Sequence, residues 1–242
     1  MTSARRRVIA LGFTACAMVA LGIAAIRRQP AALPERPAAE RPTLLVLTSL
    51  PLVFGEDFSL QGSGSRTLQA LRQRYTVVPI SVTDGTDLAK GRLLLMAQPL
   101  AQTAENLVIL DRWVRGGGRV LLLADPMLEW PTKRPLGDPL RPPPMFADTG
   151  LLAHWGLRLD TPDQRGVAQR QLAGREVVTV SPGTLWGRCD IRAGRLVANC
   201  KIAKGKAIVI ADADLLDVDN LGDRAARNLG AVLQELATLE DK

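Results

Sequence analysis

Aromatic residues and histidine are both scarce in this chain. Aromatic residues make up 4% of its 242 positions, which argues against the stacking platforms that bind single-stranded nucleic acids. His154 is the single histidine, so a zinc site or a histidine-based serine or cysteine mechanism would have to use it. The sequence also lacks a Gly-x-Ser-x-Gly elbow, and no cysteine ends a core strand. We therefore interpret His154 as a helix-face side chain that packs near Trp155.

Acidic residues are absent from the first 28 positions, where Arg5, Arg6, Arg7, Arg27 and Arg28 flank an apolar segment. The whole chain has 31 basic and 24 acidic residues, which gives a formal charge of +7. Setting the five flanking arginines aside leaves 26 basic residues against 24 acidic ones. Most of the basic excess therefore belongs to the ends of the apolar segment, and we expect no nucleic-acid partner.

The apolar segment 8–26 contains 19 residues without a charge. At about 1.5 Å per residue, a helix of this length just spans a hydrocarbon core of about 30 Å. We therefore predict an uncleaved transmembrane anchor over residues 1–28. The alternative is a signal peptide cleaved after the small residues Ala24 and Ala25, for which two arginines directly downstream are a poor context.

Charge also orients the predicted anchor, because three arginines precede the apolar segment and two follow it. The positive-inside rule then favours a cytoplasmic N-terminus. We predict a single-pass protein of the bacterial inner membrane with its C-terminal domain in the periplasm. Residues 29–41 are rich in proline and alanine and are interpreted as an extended linker that reaches up to roughly 40 Å.

The segment 115–126 (RGGGRVLLLADP) shows how the remaining domain, residues 42–242, is built. A glycine triplet ends an amphipathic helix, an apolar run follows, and Asp125-Pro126 stops the run. The pattern returns at 205–212, where Gly205 precedes an apolar run that Asp212 ends. Continuous apolar runs are typical of strands buried on both faces of a parallel sheet. We predict the α/β class, with an open, mostly parallel sheet of flavodoxin-like type and its loops gathered at the carboxyl edge.

The other elements follow from periodicity and turn residues. The core strands are predicted at 43–48, 75–82, 92–97, 120–124 and 206–211. The helices are predicted at 66–74 with Ser63 or Ser65 as the cap, at 104–115 with Thr103 as the cap, at 148–155 and at 224–239. The proline-rich segment 129–144 is predicted to be irregular. Short alternating runs within about 160–203 predict a small antiparallel β insertion.

A long loop, 49–64, separates the first strand from the first helix and carries Glu56 and Asp57. Loops of this length inside compact domains are often functional. Ser65 and Arg66 follow a Gly-Ser-Gly sequence at the predicted helix start, where backbone N–H groups could hold an anion. The segment matches neither the phosphate-loop nor the dinucleotide fingerprint, so a flexible helix entry is the alternative.

Carboxylates follow two of the predicted core strands, with Asp125 after one and Asp212 and Asp214 after the other. Parallel strands bring their carboxyl ends to one edge, so these side chains could share a crevice and hold Mg²⁺ or Ca²⁺. The alternative is that they cap helices and turns, as aspartate commonly does. The spacing does not match a calcium-binding EF-hand loop. We predict no metal and no other cofactor.

Cys189 and Cys200 lie on either side of a predicted turn, and a hairpin there would bring them together. In an oxidising periplasm they would form a structural disulfide. The alternative is a pair of buried free thiols.

The order of these elements resembles that of a known family. The resemblance is carried by TSLPLVFGED at 48–57, RLLLMAQP at 92–99, LDRWVRGGGRVLLLADPML at 110–128, PLGDPLRPP at 135–143, LLAHWGLRL at 151–159 and KAIVIADADLLD at 206–217. These segments are similar to the membrane-anchored auxiliary domain of uncharacterised, gliding-motility-type bacterial ABC transport systems. That domain is related in fold to class I glutamine amidotransferases.

The resemblance implies an amidotransferase-like sheet without amidotransferase catalysis. In the catalytic relatives a nucleophilic cysteine follows a core strand and is served by a histidine, whereas here Gln98 and Pro99 follow the third strand. It further implies an extracytoplasmic auxiliary or substrate-binding-like subunit, with an ABC permease and ATPase as partners and the membrane contacted through residues 8–26. Ligand or partner binding is predicted at the carboxyl edge, through Glu56, Asp57, Ser65, Arg66, Asp125, Asp212 and Asp214.

Two other functions stay open at this point. One is an extracytoplasmic metal-dependent hydrolase that uses Asp125, Asp212 and Asp214 with a divalent metal. The other is a purely structural envelope protein.

Overall fold

The computed structural model describes residues 30–53 and 64–240, apart from the side chains of Asp223 and Arg224. The predicted anchor and the candidate residues Glu56 and Asp57 lie outside the described residues. Within the part of the chain that is described, no helix is both long and apolar enough to cross a membrane. From Leu33 onward the chain forms one compact unit.

One seven-stranded sheet organises this unit. Its spatial order is β2-β1-β3-β4-β11-β10-β9, and every pair from β2 to β11 is parallel, whereas the pairs of β10 with β11 and with β9 are antiparallel. The strands are β1 Thr43–Thr48, β2 Thr76–Pro79, β3 Leu93–Ala97, β4 Arg119–Leu123, β5 Leu157–Asp160, β6 Val167–Leu172, β7 Arg175–Val180, β8 Thr184–Gly187, β9 Asp190–Arg192, β10 Val197–Ile202 and β11 Gly205–Ile210.

The helices pack on this sheet and bury the apolar runs of β3, β4 and β11 on both faces. The prediction of a mostly parallel α/β sheet is thereby confirmed. Ser65 Oγ accepts from Leu68 N, and Thr103 Oγ1 accepts from Asn106 N, so the predicted caps satisfy backbone N–H groups at the starts of two helices. The helices are α1 Arg66–Arg72, α2 Gly85–Leu88, α3 Ala104–Arg115, α4 Leu151–His154 and α5 Ala226–Glu240.

The glycine triplet after α3 has the predicted role at the helix end. Gly117 adopts a φ of +114°, a left-handed conformation that other residues rarely take. A side chain at Gly118 would overlap the indole of Trp113. The turn from helix to β4 therefore requires glycine both for its backbone angle and for its close packing.

The predicted antiparallel β insertion is present, and part of it extends the main sheet. Strand β6 pairs with β7, and β5 pairs with β8, as two small two-stranded sheets, but β9 and β10 join the main sheet beside β11. Alternation within a strand indicates one buried face but does not identify the neighbouring strand. Here the short turn at Ala203 and Lys204 returns β10 directly onto β11, which would otherwise be an edge.

The disulfide is present in the structure between Cys189 and Cys200, with their Cα atoms 4.8 Å apart. It ties the residue before β9 to the buried middle of β10. The bond therefore fastens the antiparallel extension of the main sheet.

The second half of the predicted linker lies against the domain. Arg36 donates its backbone N–H to Gln73 O at 3.0 Å, and its guanidinium pairs with Glu240 at 2.6 Å and lies over the ring of Tyr75. Arg74 donates to Pro34 O. These contacts attach the chain from Pro34 onward to the edge at which the parallel strands begin.

Candidate functional site

The carboxyl edge of the sheet contains the topological switch point. The parallel strand order 2-1-3-4, continued by β11, is that of flavodoxin-like sheets, in which the connections from β1 run to opposite sides. Ligands of such sheets bind in the crevice where the strand order reverses, between β1 and β3. Three features occupy this edge, namely a buried glutamine, a carboxylate cluster and an apolar cavity.

Gln98 directly follows β3 at the carboxyl edge of the sheet. Its φ is +42°, which is strained for a residue with a side chain, and it is fully buried. The side-chain Oε1 accepts from Asp125 N at 3.0 Å, while Nε2 donates to Asp125 O at 3.2 Å and Pro143 O at 3.1 Å. The amide thus joins the ends of β3 and β4 to the proline-rich segment, and it presents no group to a substrate.

Asp125, Asp212 and Asp214 come together as the sequence predicts. Each offers a carboxylate oxygen within 4.8 Å of the others, and none is more than 2% exposed. Parallel strands β4 and β11 bring the first two side chains to the same level, since Leu123 is paired with Ile210 in the register. We call these three residues the carboxylate cluster.

The cluster is held by backbone N–H groups from three segments, which follow β4, end β7 and follow β11. Asp125 accepts from Met127 N and Ala213 N, each at 2.8 Å. The other carboxylates accept in the same way: Asp212 accepts from Val180 N and Leu215 N, and Asp214 accepts from Glu129 N. The turn-capping role weighed as the alternative to metal binding is therefore present for Asp125 and Asp212, whereas Asp214 joins its turn to the distant segment after β4.

Burial and mutual repulsion raise the pKa of every carboxyl group in the cluster. Desolvation is the largest cause for Asp125, whose pKa rises to about 6, and for Asp214, whose pKa rises to about 7. Asp212 is raised well above its usual pKa, first by desolvation and then by the charges of Asp125 and Asp214. The cluster therefore gains negative charge across the neutral pH range.

Glu129 and Ser181 lie next to the cluster and were not singled out from the sequence. Ser181 is buried at a φ of +46°, donates its hydroxyl to Glu129 Oε1 and accepts from Gly166 N at 2.8 Å. Ser181 follows β7, whose place beside the cluster depends on tertiary packing. A serine directly after a buried strand was the one signal available in the sequence.

An apolar cavity of about 330 Å³ opens at the carboxyl ends of β1 and β2. Leu100 and Leu140 line it and are 52% and 54% exposed. Among the described residues, Arg134 is the one charged residue that lines it, and Val53, the last described residue before the gap at 54–63, lines it as well. The size and the apolar lining are typical of small-molecule and side-chain pockets.

Ser65 and Arg66 lie elsewhere on the carboxyl edge. Ser65 caps α1 and lines a second cleft, of about 400 Å³, together with Trp130 and Lys133. Arg66 forms an ion pair with Asp219 at 2.6 Å, in which both side chains are 49% exposed. Ser65 and Arg66 are thus engaged within the chain itself, whereas Gly62 and Ser63 of the predicted anion cradle lie outside the described residues.

His154 lies away from these features. Its ring is 3.3 Å from Asp111 and 3.2 Å from Arg115, both in the last turns of α3, and Trp155 donates to Asp111 at 3.1 Å. Because α3 starts at the carboxyl edge and returns to the opposite one, the histidine is far along the helix from Gln98. It lies on a helix beside Trp155 as predicted, but its side chain is 58% exposed.

Comparison with known proteins relates this chain to others through its fold. No family model and no curated protein sequence matches it. Among solved structures, the mmIFT52 N-terminal domain matches with a TM-score of 0.52 at 16% identity, covering 83% of this chain and 100% of that chain. The cytoplasmic protein STM1381 from Salmonella typhimurium LT2 has a TM-score of 0.51 at 11% identity, with 81% and 99% covered.

A third solved structure, the exo-beta-1,4-mannosidase Op5Man5 from Opitutaceae bacterium strain TAV5, has a TM-score of 0.48 at 11% identity. The match covers 83% of this chain but 36% of that enzyme, so this chain spans about a third of its length. At identities this low, the similarities concern the α/β fold alone.

Proposed function

We propose that this chain is a membrane-anchored, non-catalytic auxiliary or substrate-binding-like subunit of an ABC-type transport system, with its α/β domain in the periplasm. The observation that carries the proposal is a contrast between neighbouring parts of the carboxyl edge. The amide of Gln98, at the end of β3, is bound by backbone groups, whereas the described residues beside it line a mostly apolar cavity. Such an edge suits binding better than bond cleavage.

The carboxylate cluster supports the same proposal. Its oxygens accept backbone N–H groups from segments around β4, β7 and β11, and removal of any one carboxylate would leave buried donors unsatisfied. The cluster therefore shapes the loops of the carboxyl edge. Among those loops is the proline-rich segment, which contributes Leu140 to the cavity.

The ABC partners follow from the resemblance and from what a single-span chain requires. The sequence has no phosphate-loop motif, so it cannot couple transport to ATP hydrolysis by itself. An ATPase and a multispanning permease would supply those functions. The apolar cavity suits a hydrophobic segment of such a partner.

Affinity purification of the full-length protein from gently solubilised membranes, with mass spectrometry of the bound proteins, tests this proposal. We expect an ABC ATPase and a permease to co-purify. The double variant Leu100→Asp/Leu140→Asp places charges in the cavity and should reduce their recovery at least about tenfold, since burying an unpaired charge is unfavourable. Leu136→Asp is the matched control, because Leu136 is 82% exposed and lies in the same proline-rich segment outside the cavity lining.

Two results would count against the proposal. Failure to recover either ABC subunit, under conditions that keep known membrane complexes intact, rejects the stable-subunit function. Equal recovery with the cavity variant and with wild type rejects the cavity as the contact surface.

A second function, that of an extracytoplasmic metal-dependent hydrolase, is favoured by the spacing of the cluster. Three carboxylate oxygens within 4.8 Å suit the oxygen coordination of Mg²⁺ or Ca²⁺. If this function is correct, Mg²⁺ or Ca²⁺ should raise the melting temperature. Asp212→Asn should abolish this rise, whereas Asp163→Asn, at an exposed position, should preserve it. Identical melting curves with millimolar metal and with chelator would eliminate it.

A further inference from the structure

The amino edge of the sheet, where the parallel strands begin, is basic. Registers that pair Thr43 with Thr76 and Leu93 with Arg119 bring the starts of these strands, and the turns before them, to one edge. Exposed cations lie in these turns and at the ends of the helices that lead into them. They are Arg72, Lys90, Arg92, Arg115 and Lys204.

The ion pairs at this edge leave part of that charge uncompensated. Lys90 pairs with Asp87 at 2.5 Å, and Arg115 pairs with Asp111 at 2.7 Å. Arg72, Arg92 and Lys204 form no ion pair with any residue that the structure describes. Within the described residues, the exposed acids of the edge are Glu35 and Glu40, which belong to the docked end of the linker.

The opposite, carboxyl edge carries charges of both signs. Around the buried carboxylate cluster, its loops hold Glu129, Asp138, Asp148, Asp217 and Asp219 together with Arg66, Lys133, Arg134, Arg141 and Arg195. These acids and bases offset one another, whereas the amino edge keeps exposed cations without ion pairs to the described residues. A charged patch of that kind orients a domain relative to a charged surface.

Helix ends explain only some of these cations. Arg72 and Arg115 lie in the last turns of α1 and α3, where a positive charge complements the helix dipole. Arg92 and Lys204 precede β3 and β11 in short turns and have no such role. Their charge at this edge requires a different explanation.

The linker joins the domain at this edge. Pro34 and Arg36 are fixed to the amino edge by Arg74, Gln73 and Glu240. If residues 8–26 are the anchor, the connecting chain is 27–33, which can reach at most roughly 22 Å at about 3.1 Å per residue. Charges within about one Debye length of a surface, about 8–10 Å, still feel its potential.

We propose that the amino edge binds an anionic phospholipid surface through Arg72, Lys90, Arg92 and Lys204. The binding would hold the domain upright, with the carboxyl edge and its cavity directed away from the bilayer. This inference rests on the membrane anchor of the proposed function. It does not depend on the ABC partners, and each can fail without the other.

Lysine footprinting of the full-length protein in nanodiscs tests the proposal, because the chain carries its own control. Lys90 and Lys204 lie at the amino edge, while the exposed Lys133 lies at the carboxyl edge. In discs with about one-third phosphatidylglycerol, acylation of Lys90 and Lys204 should be at least about fivefold slower than in pure phosphatidylcholine, as expected for basic residues held at an anionic surface. Lys133 should be labelled equally in both, and 0.5 M salt should abolish the difference.

Two triple variants distinguish the effect of the amino edge from the effect of the protein's overall positive charge. Arg72→Gln/Arg92→Gln/Lys204→Gln should restore the labelling of Lys90 in anionic discs. Arg165→Gln/Arg170→Gln/Arg188→Gln removes as many exposed positive charges, three, from the insertion and should leave the slow labelling intact.

Unchanged labelling of Lys90 and Lys204 in anionic discs, with the protein inserted, overturns this inference and leaves the ABC proposal standing. If the protein is recovered without lipid, the predicted membrane anchor is wrong, and this inference is rejected as well.

Discussion

Asp214 illustrates how a single buried carboxyl group links stability to pH. Its pKa is raised from 3.8 to about 7 in the folded chain, so ionisation is less favourable there than in the unfolded chain. The loss of folding stability that this ionisation causes is absent below about pH 4, grows as pH rises towards 7 and reaches its full value above pH 7. The carboxylate cluster therefore makes the protein less stable at pH 8 than at pH 5.

Asp214→Asn should raise the free energy of unfolding by about 1–3 kcal/mol at pH 8 and by much less at pH 4. The asparagine Oδ1 can still accept from Glu129 N, while the charge is lost. Urea unfolding at both pH values measures the difference, and Asp163→Asn, an exposed aspartate, is the control. A destabilised variant at pH 8 would show that the negative charge is needed, as a bound cation would require.

Gln98 is the second residue whose contribution is measurable. Gln98→Ala removes three buried hydrogen bonds to Asp125 and Pro143 and leaves their backbone groups unsatisfied. We expect a loss of about 2–4 kcal/mol in unfolding free energy. Gln171→Ala, at an exposed position of β6, should change it by less than about 0.5 kcal/mol. Similar values for the two variants would contradict the role assigned to Gln98.

At the scale of elements, the antiparallel extension depends on the disulfide. Cys189 and Cys200 are 11 residues apart, so their bond closes a short loop around β9. Replacing both by serine should lower the free energy of unfolding by about 2–3 kcal/mol. Chemical denaturation of wild type should show the same loss after reduction with dithiothreitol, and the double variant should not respond to the reductant. If dithiothreitol does not change the denaturation midpoint of wild type, the disulfide between Cys189 and Cys200 is excluded.

At the scale of the whole molecule, the docked linker decides where the domain starts. A chain that begins at Pro42 lacks Pro34 and Arg36, and it loses a carbonyl partner of the buried Arg74. We expect it to be less stable by about 1–3 kcal/mol than a chain that begins at Leu33. Thermal unfolding of the two purified chains measures this directly. Equal stability would mean that the linker contacts add nothing, and the short tether to the membrane would lose its support.

The flavodoxin-like sheet was predictable because its signals are local. Continuous apolar runs at β3, β4 and β11 require burial on both faces, and caps such as Thr103 mark helix starts in a few adjacent residues. The meeting of Asp125 with Asp212 was predictable for the same reason, since parallel strands share their carboxyl edge.

Other features depend on contacts between residues distant in sequence. The pairing of β10 with β11, the place of Ser181 beside Glu129, and the attachment of Arg36 to Glu240 have no local signature. The apolar cavity likewise combines the end of β1 with Leu140, far along the chain.

The sequence by itself determined the α/β class, the order of the core elements and the residues that collect at the carboxyl edge. Those features follow from hydrophobic period, helix caps and strand ends, which act within a few residues. Tertiary structure alone decided that Gln98 and the carboxylate cluster are sealed by backbone hydrogen bonds while apolar side chains line a cavity beside them. It also decided that positive charge gathers at the amino edge, because burial and field depend on which distant segments pack together.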